Sequence, residues 1–422
     1  MKKILWFSNC IQSQGANKAS GSWLFSMARL LCDSGIVHLI NIAKARQSGS
    51  TKIEYKKISD SFEEYILPNW EIDRNGFPSI EACNEIKALC QEIHPDIIHV
   101  WGVENYFCTL LPTFSLPAPL LLEIQGLHGT CADVYYGDMS VSDTLRCFGL
   151  REILFPFMKS IYVQKHQMRD LGEKDVDAIK KYQHISVQSR WIEDRIKMTN
   201  PVCNLYQTRM SLRKEFISCP KWEYNDNCRN FYCSAAGPTP YKSIQTAIKA
   251  LKVVTEKYSD ACLYIIGNFS DSNWLHQSGY LTFLKKTIKN LGLERNVIFT
   301  GALTATGIVD VMHKCIGMVQ TSYVESYSLA VAEAQAVGVP SVISYAGAMP
   351  ELAENRNTGL FFSPGDNVSC ANRMIELIEN KELAMQISQK SRELANERNS
   401  DDIVLATQLN IYDKILSNND KI

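Results

Sequence analysis

The stretch YVESYSLAVAEAQAVGVPSV, residues 323–342, decides how the chain is read. Between Ser328 and Val337 the only polar side chains are Glu333 and Gln335, so the segment has the composition of a buried helix with one carboxylate inside it. Its punctuation is complete. Ser326 and Ser328 suit an N-cap, Gly338 suits the position after a helix end, and Pro340 forbids continuation, which predicts a helix over about 328–337. A helix that opens after a parallel strand presents free N–H groups and the positive end of its dipole, a place for phosphate. At about 1.5 Å rise per residue, Glu333 lies between one and two turns further along. An ionised carboxylate in apolar surroundings needs a partner, and two readings fit: the hydroxyls of a ribose beyond the phosphates, or a structural salt bridge to an Arg or Lys elsewhere.

Outward from this helix the chain alternates strands and helices. KILWFSN (3–9), VHLINIA (37–43), IIHVW (97–101) and PLLLEIQ (119–125) read as strands rich in branched residues. Between them Cys83, Ile86, Cys90 and Ile93 repeat at helical spacing over 80–93, and Pro95 closes that helix. A second series begins at FYCSAA (231–236) and continues through a helix from about Ser243, CLYIIG (262–267), a helix over 280–291 and VIFTG (297–301). Residues 200–230, with Pro201, Pro220 and EYNDNCRN, read as an irregular connection between two α/β domains. A last amphipathic pattern, NSDDIVLATQLNIYDKILS (399–417), carries Ile403, Leu405, Leu409, Ile411, Tyr412 and Ile415 and must dock on something.

Composition excludes other classes. The 422 residues are 45% hydrophobic and 21% charged, as expected of a soluble protein with real cores, and a net charge of -1 argues against a nucleic-acid binder. Fourteen cysteines lie without a CxxC pair, which suggests buried thiols in a reducing compartment and no zinc site. No run of 18 apolar residues predicts a membrane-spanning helix, and MKKILWFSNC reads as a first strand rather than a signal peptide. A dinucleotide-dependent oxidoreductase is disfavoured, because IQSQGANKASGSW lacks the GxGxxG spacing after the first strand.

Glu325 and Glu333, seven residues apart and followed by AQAVGVPSVISYAGAMPEL, resemble the EX7E signature of retaining glycosyltransferases of family GT4 (glycosyltransferase group 1). TGLFFSPGD (358–366), HPDIIHVWG (94–102) and GSW (21–23) are similar to further segments of that family. The resemblance implies an α/β GT-B fold, with two Rossmann-like domains whose parallel sheets face a central cleft. It implies an acceptor-side domain over 1–205, a nucleotide-sugar domain over 206–399 and a final helix, 400–422, packing back on the first. It also implies a metal-independent transferase that moves a sugar from a nucleotide sugar, with UDP- or GDP-sugars expected, to an acceptor hydroxyl in bacterial polysaccharide or glycoconjugate assembly. No cofactor and no metal are expected beyond that co-substrate, and the location implied is cytoplasmic.

Residue by residue, the resemblance makes Lys242 and Glu325 catalytic. Lys242 would neutralise the departing diphosphate, and Glu325 would lie near donor-sugar hydroxyls. Glu333 would hold the ribose, with Gly237, Tyr327, Ser328 and Leu329 around the nucleotide. Gly21, Ser22, Gln125 and His128 would lie by the donor sugar or acceptor. The plain reading of Lys242 is a solvated lysine opening a helix. The chain also departs from the pattern. Pro238 stands where the family has an arginine, ESYS replaces EGFG, and Gln125 replaces a histidine. Gln125 cannot titrate, which removes it as a general base. His128 is either its substitute or an ordinary loop histidine. These departures keep open a catalytically silent nucleotide-sugar-binding protein. The segment RCFGLREILFPFMKSIYVQKHQMRD (146–170) interleaves apolar and basic residues, which fits either peripheral contact with an anionic membrane carrying a lipid-linked glycan acceptor or a helix pair over the acceptor cleft.

Overall fold

Two separate sheets organise the chain, and a computed structural model describes them over residues 1–14, 22–44, 52–73, 76–155, 160–269 and 278–419. The first has eight strands: β1 (Lys2–Ser8), β2 (Val37–Lys44), β3 (Glu54–Ser59), β4 (Phe62–Leu67), β5 (Ile97–Trp101), β6 (Leu120–Ile124), β7 (His184–Val187) and β8 (Asn204–Gln207). Their spatial order is β3-β4-β2-β1-β5-β6-β7-β8, and every pairing is parallel except the antiparallel edge β3–β4. The second has six strands, β9 (Phe231–Ser234), β10 (Leu263–Ile266), β11 (Val297–Gly301), β12 (Gly317–Gln320), β13 (Ser341–Ser344) and β14 (Leu360–Phe362), all parallel in the order β11-β10-β9-β12-β13-β14. Parallel pairing requires crossovers, and the helical periodicities between strands supply them.

The faces of the first sheet differ in chemistry. Leu5, Phe7, Ile40, Ile42, Ile98, Val100, Leu122, Ile124, Ile185 and Val187 form one apolar core with Ile86, Leu89, Cys90 and Ile93 of the helix Ile80–Ile93. That helix is capped by Ser79, whose hydroxyl accepts from the Ala82 N–H, and it ends at His94 in the left-handed region before Pro95. Side chains alternate along a strand, so the intervening residues point the other way. There aliphatic residues such as Ile4, Leu39, Ile97 and Leu121 are buried together with a polar and aromatic group: Trp6, Ser8, Asn41, Glu64, His99, Trp101, Glu123 and Ser186. The final helix, Asp401–Asn419, covers part of it: the Tyr412 hydroxyl accepts from Trp6 Nε1 at 3.2 Å and lies 3.0 Å from His99 Nδ1.

The chain divides into one unit of residues 1–127, 173–211 and 398–422 and a second of 128–172 and 212–397. The expected boundary at 205/206 is therefore corrected, because residues 128–172 leave the first half and join the second. Tyr135, Met139, Cys147 and Ile161 are buried in the core around the second sheet. Polar ties hold the same segment: Asp138 accepts from Ser243 Oγ at 2.7 Å and Gln245 Nε2 at 2.6 Å and pairs with Lys249 at 3.1 Å, while Glu152 accepts the Gly279 N–H at 2.9 Å. Residues 200–230 are also less irregular than their composition suggests. They contain β8, which extends the sheet beyond β7, and the helix Lys214–Ser218. The edge strand β3, exposed throughout, and β4 carry no sequence signal of comparable strength.

Candidate functional site

The decisive helix runs Leu329–Val337. Ser328 caps it by accepting the Val331 N–H, and Gly338 ends it at φ +90°, where its N–H and that of Val339 return to the Ala334 carbonyl. This is the glycine position a left-handed helix end calls for. The helix follows β12, so its N-terminal N–H groups, including those around Tyr327, Ser328 and Leu329, stand at the carboxyl end of a parallel sheet.

Before the helix, Glu325 is held from three sides. Its Oε1 accepts from Lys242 Nζ, Gln320 Nε2 and Ser322 Oγ, each at 2.7 Å. Its carbonyl accepts the Ala348 N–H, and Gly347, at φ +56°, approaches so closely that a Cβ there would lie 2.2 Å from that oxygen. Only glycine fits both demands. Lys242 closes the short turn Pro240–Lys242, which is stitched to the strand end by Tyr323 N to Tyr241 O at 2.8 Å and Thr321 Oγ1 to Lys242 O at 2.9 Å. Lys242 and Glu325 are thus brought together as a half-buried ion pair. The next residue, Ser243, sits at φ +51°, an uncommon state for a side chain other than glycine, and its buried hydroxyl donates to Asp138.

Glu333 is met by Arg213. Nε and Nη2 of the guanidinium donate to the two carboxylate oxygens, both at 2.8 Å, and the guanidinium carbon lies 4.5 Å from the centre of the Phe216 ring. The salt-bridge reading of Glu333 is therefore present in the fold. Burial nevertheless pushes the Glu333 carboxyl above its usual range, against the lowering effect of Arg213, and Glu215 adds to the rise. Sequence reasoning missed Arg213 and Asp138. Arg213 lies 120 residues from Glu333 and Asp138 lies 105 from Ser243, so no local spacing signals either contact.

The remaining expected residues fall as follows. Gly237 lies in the loop after β9, where an added Cβ would approach the Asn268 carbonyl at 3.6 Å. His128 opens the helix His128–Asp133 in the second unit, and Gln125 follows β6 in the first. In the second unit Cys131, one turn after His128, lies against Tyr241 and within electrostatic reach of Lys242 and Glu325. Ser22 begins the helix Ser22–Asp33, while Gly21 and residues 156–159 lie outside the described residues. No group of His, Cys, Asp or Glu suited to a metal occurs among the described residues.

Residues 224–394, which contain Lys242, Glu325 and Glu333, match the family described as glycosyl transferases group 1. Over this segment the chain is similar to the GT4-like glycosyl transferases of group 1. Among curated proteins the chain is similar to N-acetyl-alpha-D-glucosaminyl L-malate synthase of Bacillus anthracis, 23% identical over 84% of each chain. Sulfoquinovosyl transferase SQD2 of Arabidopsis thaliana is 25% identical over 36% of this chain and 28% of its own. Among solved structures, sucrose-phosphate synthase from Thermosynechococcus elongatus superposes with a TM-score of 0.71 at 12% identity, covering 99% of this chain and 100% of that one. HepE of Anabaena, solved with UDP and glucose, gives 0.67 at 16% identity with both chains fully covered. These likenesses show the fold of the chain as GT-B, two α/β domains built on parallel sheets.

Proposed function

We propose that this group 1 transferase moves a sugar from a UDP- or GDP-sugar to an acceptor hydroxyl with retention of anomeric configuration and without a metal. The observation that supports this reading most is the Lys242–Glu325 pair, 2.7 Å apart, immediately before the capped N-terminus of the helix Leu329–Val337. A diphosphate at that N-terminus would meet backbone N–H groups and the Lys242 ammonium, and a fixed cation aimed at a leaving group is usually a large catalytic contribution. In the reaction the bond from the anomeric carbon to the phosphate oxygen breaks, and a bond to the acceptor oxygen forms on the same face. The acceptor proton passes to the departing phosphate oxygen, so no dedicated base is required. Glu325 orients sugar hydroxyls, and Glu333 accepts from the ribose.

Incubation of the protein with UDP- and GDP-sugars and a panel of hydroxyl acceptors, in the presence of a chelator, tests this directly. Transfer should follow, the product should keep the donor's anomeric configuration by NMR, and Lys242→Ala should lose it. An inverted product, or a reaction that stops with the chelator, would sink the reading. Malate belongs in the acceptor panel because of the synthase to which the chain is similar. Binding of a donor with neither transfer nor hydrolysis would instead favour a silent binding protein, a reading that Pro238 in place of a cation supports.

For the acceptor we favour a glycan on a lipid carrier, met by peripheral contact with an anionic membrane inside the cytoplasm. Val141, Leu145, Phe148, Ile153, Leu154 and Phe155 all stand exposed within fifteen residues, beside the exposed Arg146. No helix among the described residues is long and apolar enough to cross a membrane. Sedimentation with phosphatidylglycerol vesicles but not with phosphatidylcholine vesicles is the expected outcome, and equal absence from both would remove this part of the proposal.

A further inference from the structure

Arg213 has no place in the reading from motifs, yet its guanidinium donates to both oxygens of the Glu333 carboxylate. We propose that Arg213 is a positioning residue of the nucleotide site: it holds Glu333 as an oriented carboxylate whose remaining lone pairs accept the two ribose hydroxyls. This rests on the donor-site reading of Glu333.

The geometry carries the inference in three steps. A guanidinium paired side-on takes one lone pair from each carboxylate oxygen, and an ionised carboxylate has about four such sites, so two remain for a ligand. The Arg213 side chain is held before any ligand arrives. Its backbone is extended at φ −66° and ψ 138°, its carbonyl accepts the Phe216 N–H at 3.1 Å, and its guanidinium stacks over the buried Phe216 ring. Finally, the pair is not sealed, because the side chains are 15% and 8% exposed. A buried ion pair contributes little net stability compared with an apolar replacement, so packing alone gives this one no advantage.

Arg213 also determines whether Glu333 carries charge. The groups facing Glu333 are Arg213, Glu215 and the buried Tyr232. Burial and Glu215 favour the protonated acid, and Arg213 alone opposes them. Without the guanidinium, Glu333 would take up a proton at higher pH than in the wild type. It would then lose acceptor sites that the ribose needs.

The test is calorimetric titration of UDP and GDP from pH 5.5 to 9 into the wild type, Arg213→Met, Arg213→Lys, Glu333→Gln and the Arg213→Met/Glu333→Gln double variant, with folding checked by circular dichroism. Loss of a hydrogen-bonded charge predicts roughly 10- to 100-fold weaker nucleotide binding by Arg213→Met. Its affinity should recover toward high pH, with a midpoint above that of the wild type. Arg213→Lys should fall between the two, and it carries the test if the Met variant does not fold. The double variant should bind no worse than Glu333→Gln alone, since both changes disable one acceptor. If Glu333→Gln weakens binding while Arg213→Met keeps the wild-type affinity and pH profile, or if the two losses add, the Arg213 proposal fails and the donor reading stands. A folded wild type that binds neither nucleotide overturns both.

Discussion

Glu333 in the second unit and Glu123 in the first are both buried glutamates on central elements, and their surroundings give them opposite chemistry. Glu333 faces a guanidinium that donates to both oxygens. Glu123, on β6, has only the neutral Ser186 and Gln188 as hydrogen-bond partners, and its Oε1 has none among the described residues. Burial pushes the Glu123 carboxyl up to about 8, so it is mostly protonated at neutral pH. His99, on the adjacent strand, is held neutral by the same burial. Burial raises both carboxyls, and of the two only Glu333 has a cation that opposes the rise. This contrast separates a group able to bind a ligand as an anion from one that belongs to the interior of a sheet.

The largest expected effect tests the cation's side of the contrast. Glu333→Ala leaves Arg213 half-buried without its partner, and removal of one member of a buried pair costs about 3–5 kcal/mol. Denaturant unfolding should register that loss. Arg213→Met/Glu333→Ala should recover much of it, because no unpaired charge is left. A double variant less stable than Glu333→Ala would mean that Arg213 has a structural role apart from the pair.

Next in size is the proposed catalytic cation, Lys242. Lys242→Ala should lower kcat by about 10²–10³-fold, the loss usual for one preorganised group that stabilises developing charge. Donor binding should weaken less than kcat. A loss confined to KM would make Lys242 a docking residue.

Glu123 supplies the third test, and its sign follows from linkage. Its folded value of about 8 lies above the ordinary carboxylate value of 4.5, so between those limits the folded state holds the extra proton. Stability from this group is therefore full below about pH 4.5 and is lost as pH rises toward 8. Between pH 6 and 8 the loss should be roughly 2 kcal/mol. Glu123→Gln, which cannot ionise, should flatten that slope. A wild type as stable at pH 8 as at pH 6 would show that water or a cation reaches Glu123.

How much of this could be read from sequence depends on range. The Leu329–Val337 helix was legible to within a residue because its cap, apolar run, glycine and proline are local signals. The helix Ile80–Ile93 was legible for the same reason. Lys242 and Glu325 were named as site residues, but their contact spans 83 positions and appears only in the fold. Arg213, Asp138 and the transfer of residues 128–172 to the second unit were not legible. A single Arg before a short helix, or an Asp in VYYGD, looks like any solvated charge until the partner is known. The buried polar positions of the first sheet were hidden as well, because strands buried on both sides read as continuous apolar runs whatever a few positions carry.

The smallest expected effect concerns the tie that brings residues 128–172 into the second unit. Ser243 holds φ +51° and ψ 43°, where the side chain of an L-residue costs about 1–2 kcal/mol, while its hydroxyl bonds Asp138 and lies 2.9 Å from Thr246 Oγ1. Ser243→Gly removes the strain and the hydrogen bonds together, so the two changes nearly cancel and the denaturant midpoint should move little. Ser243→Ala removes only the hydrogen bonds and leaves Asp138 with Gln245 and Lys249 as its partners. It should therefore be less stable than Ser243→Gly by about 1 kcal/mol. Equal midpoints would mean that the backbone relaxes out of the left-handed region once Asp138 is released. In that case Asp138, rather than the turn that presents Lys242, imposes the conformation, and the segment that joins the second unit helps to shape its candidate site.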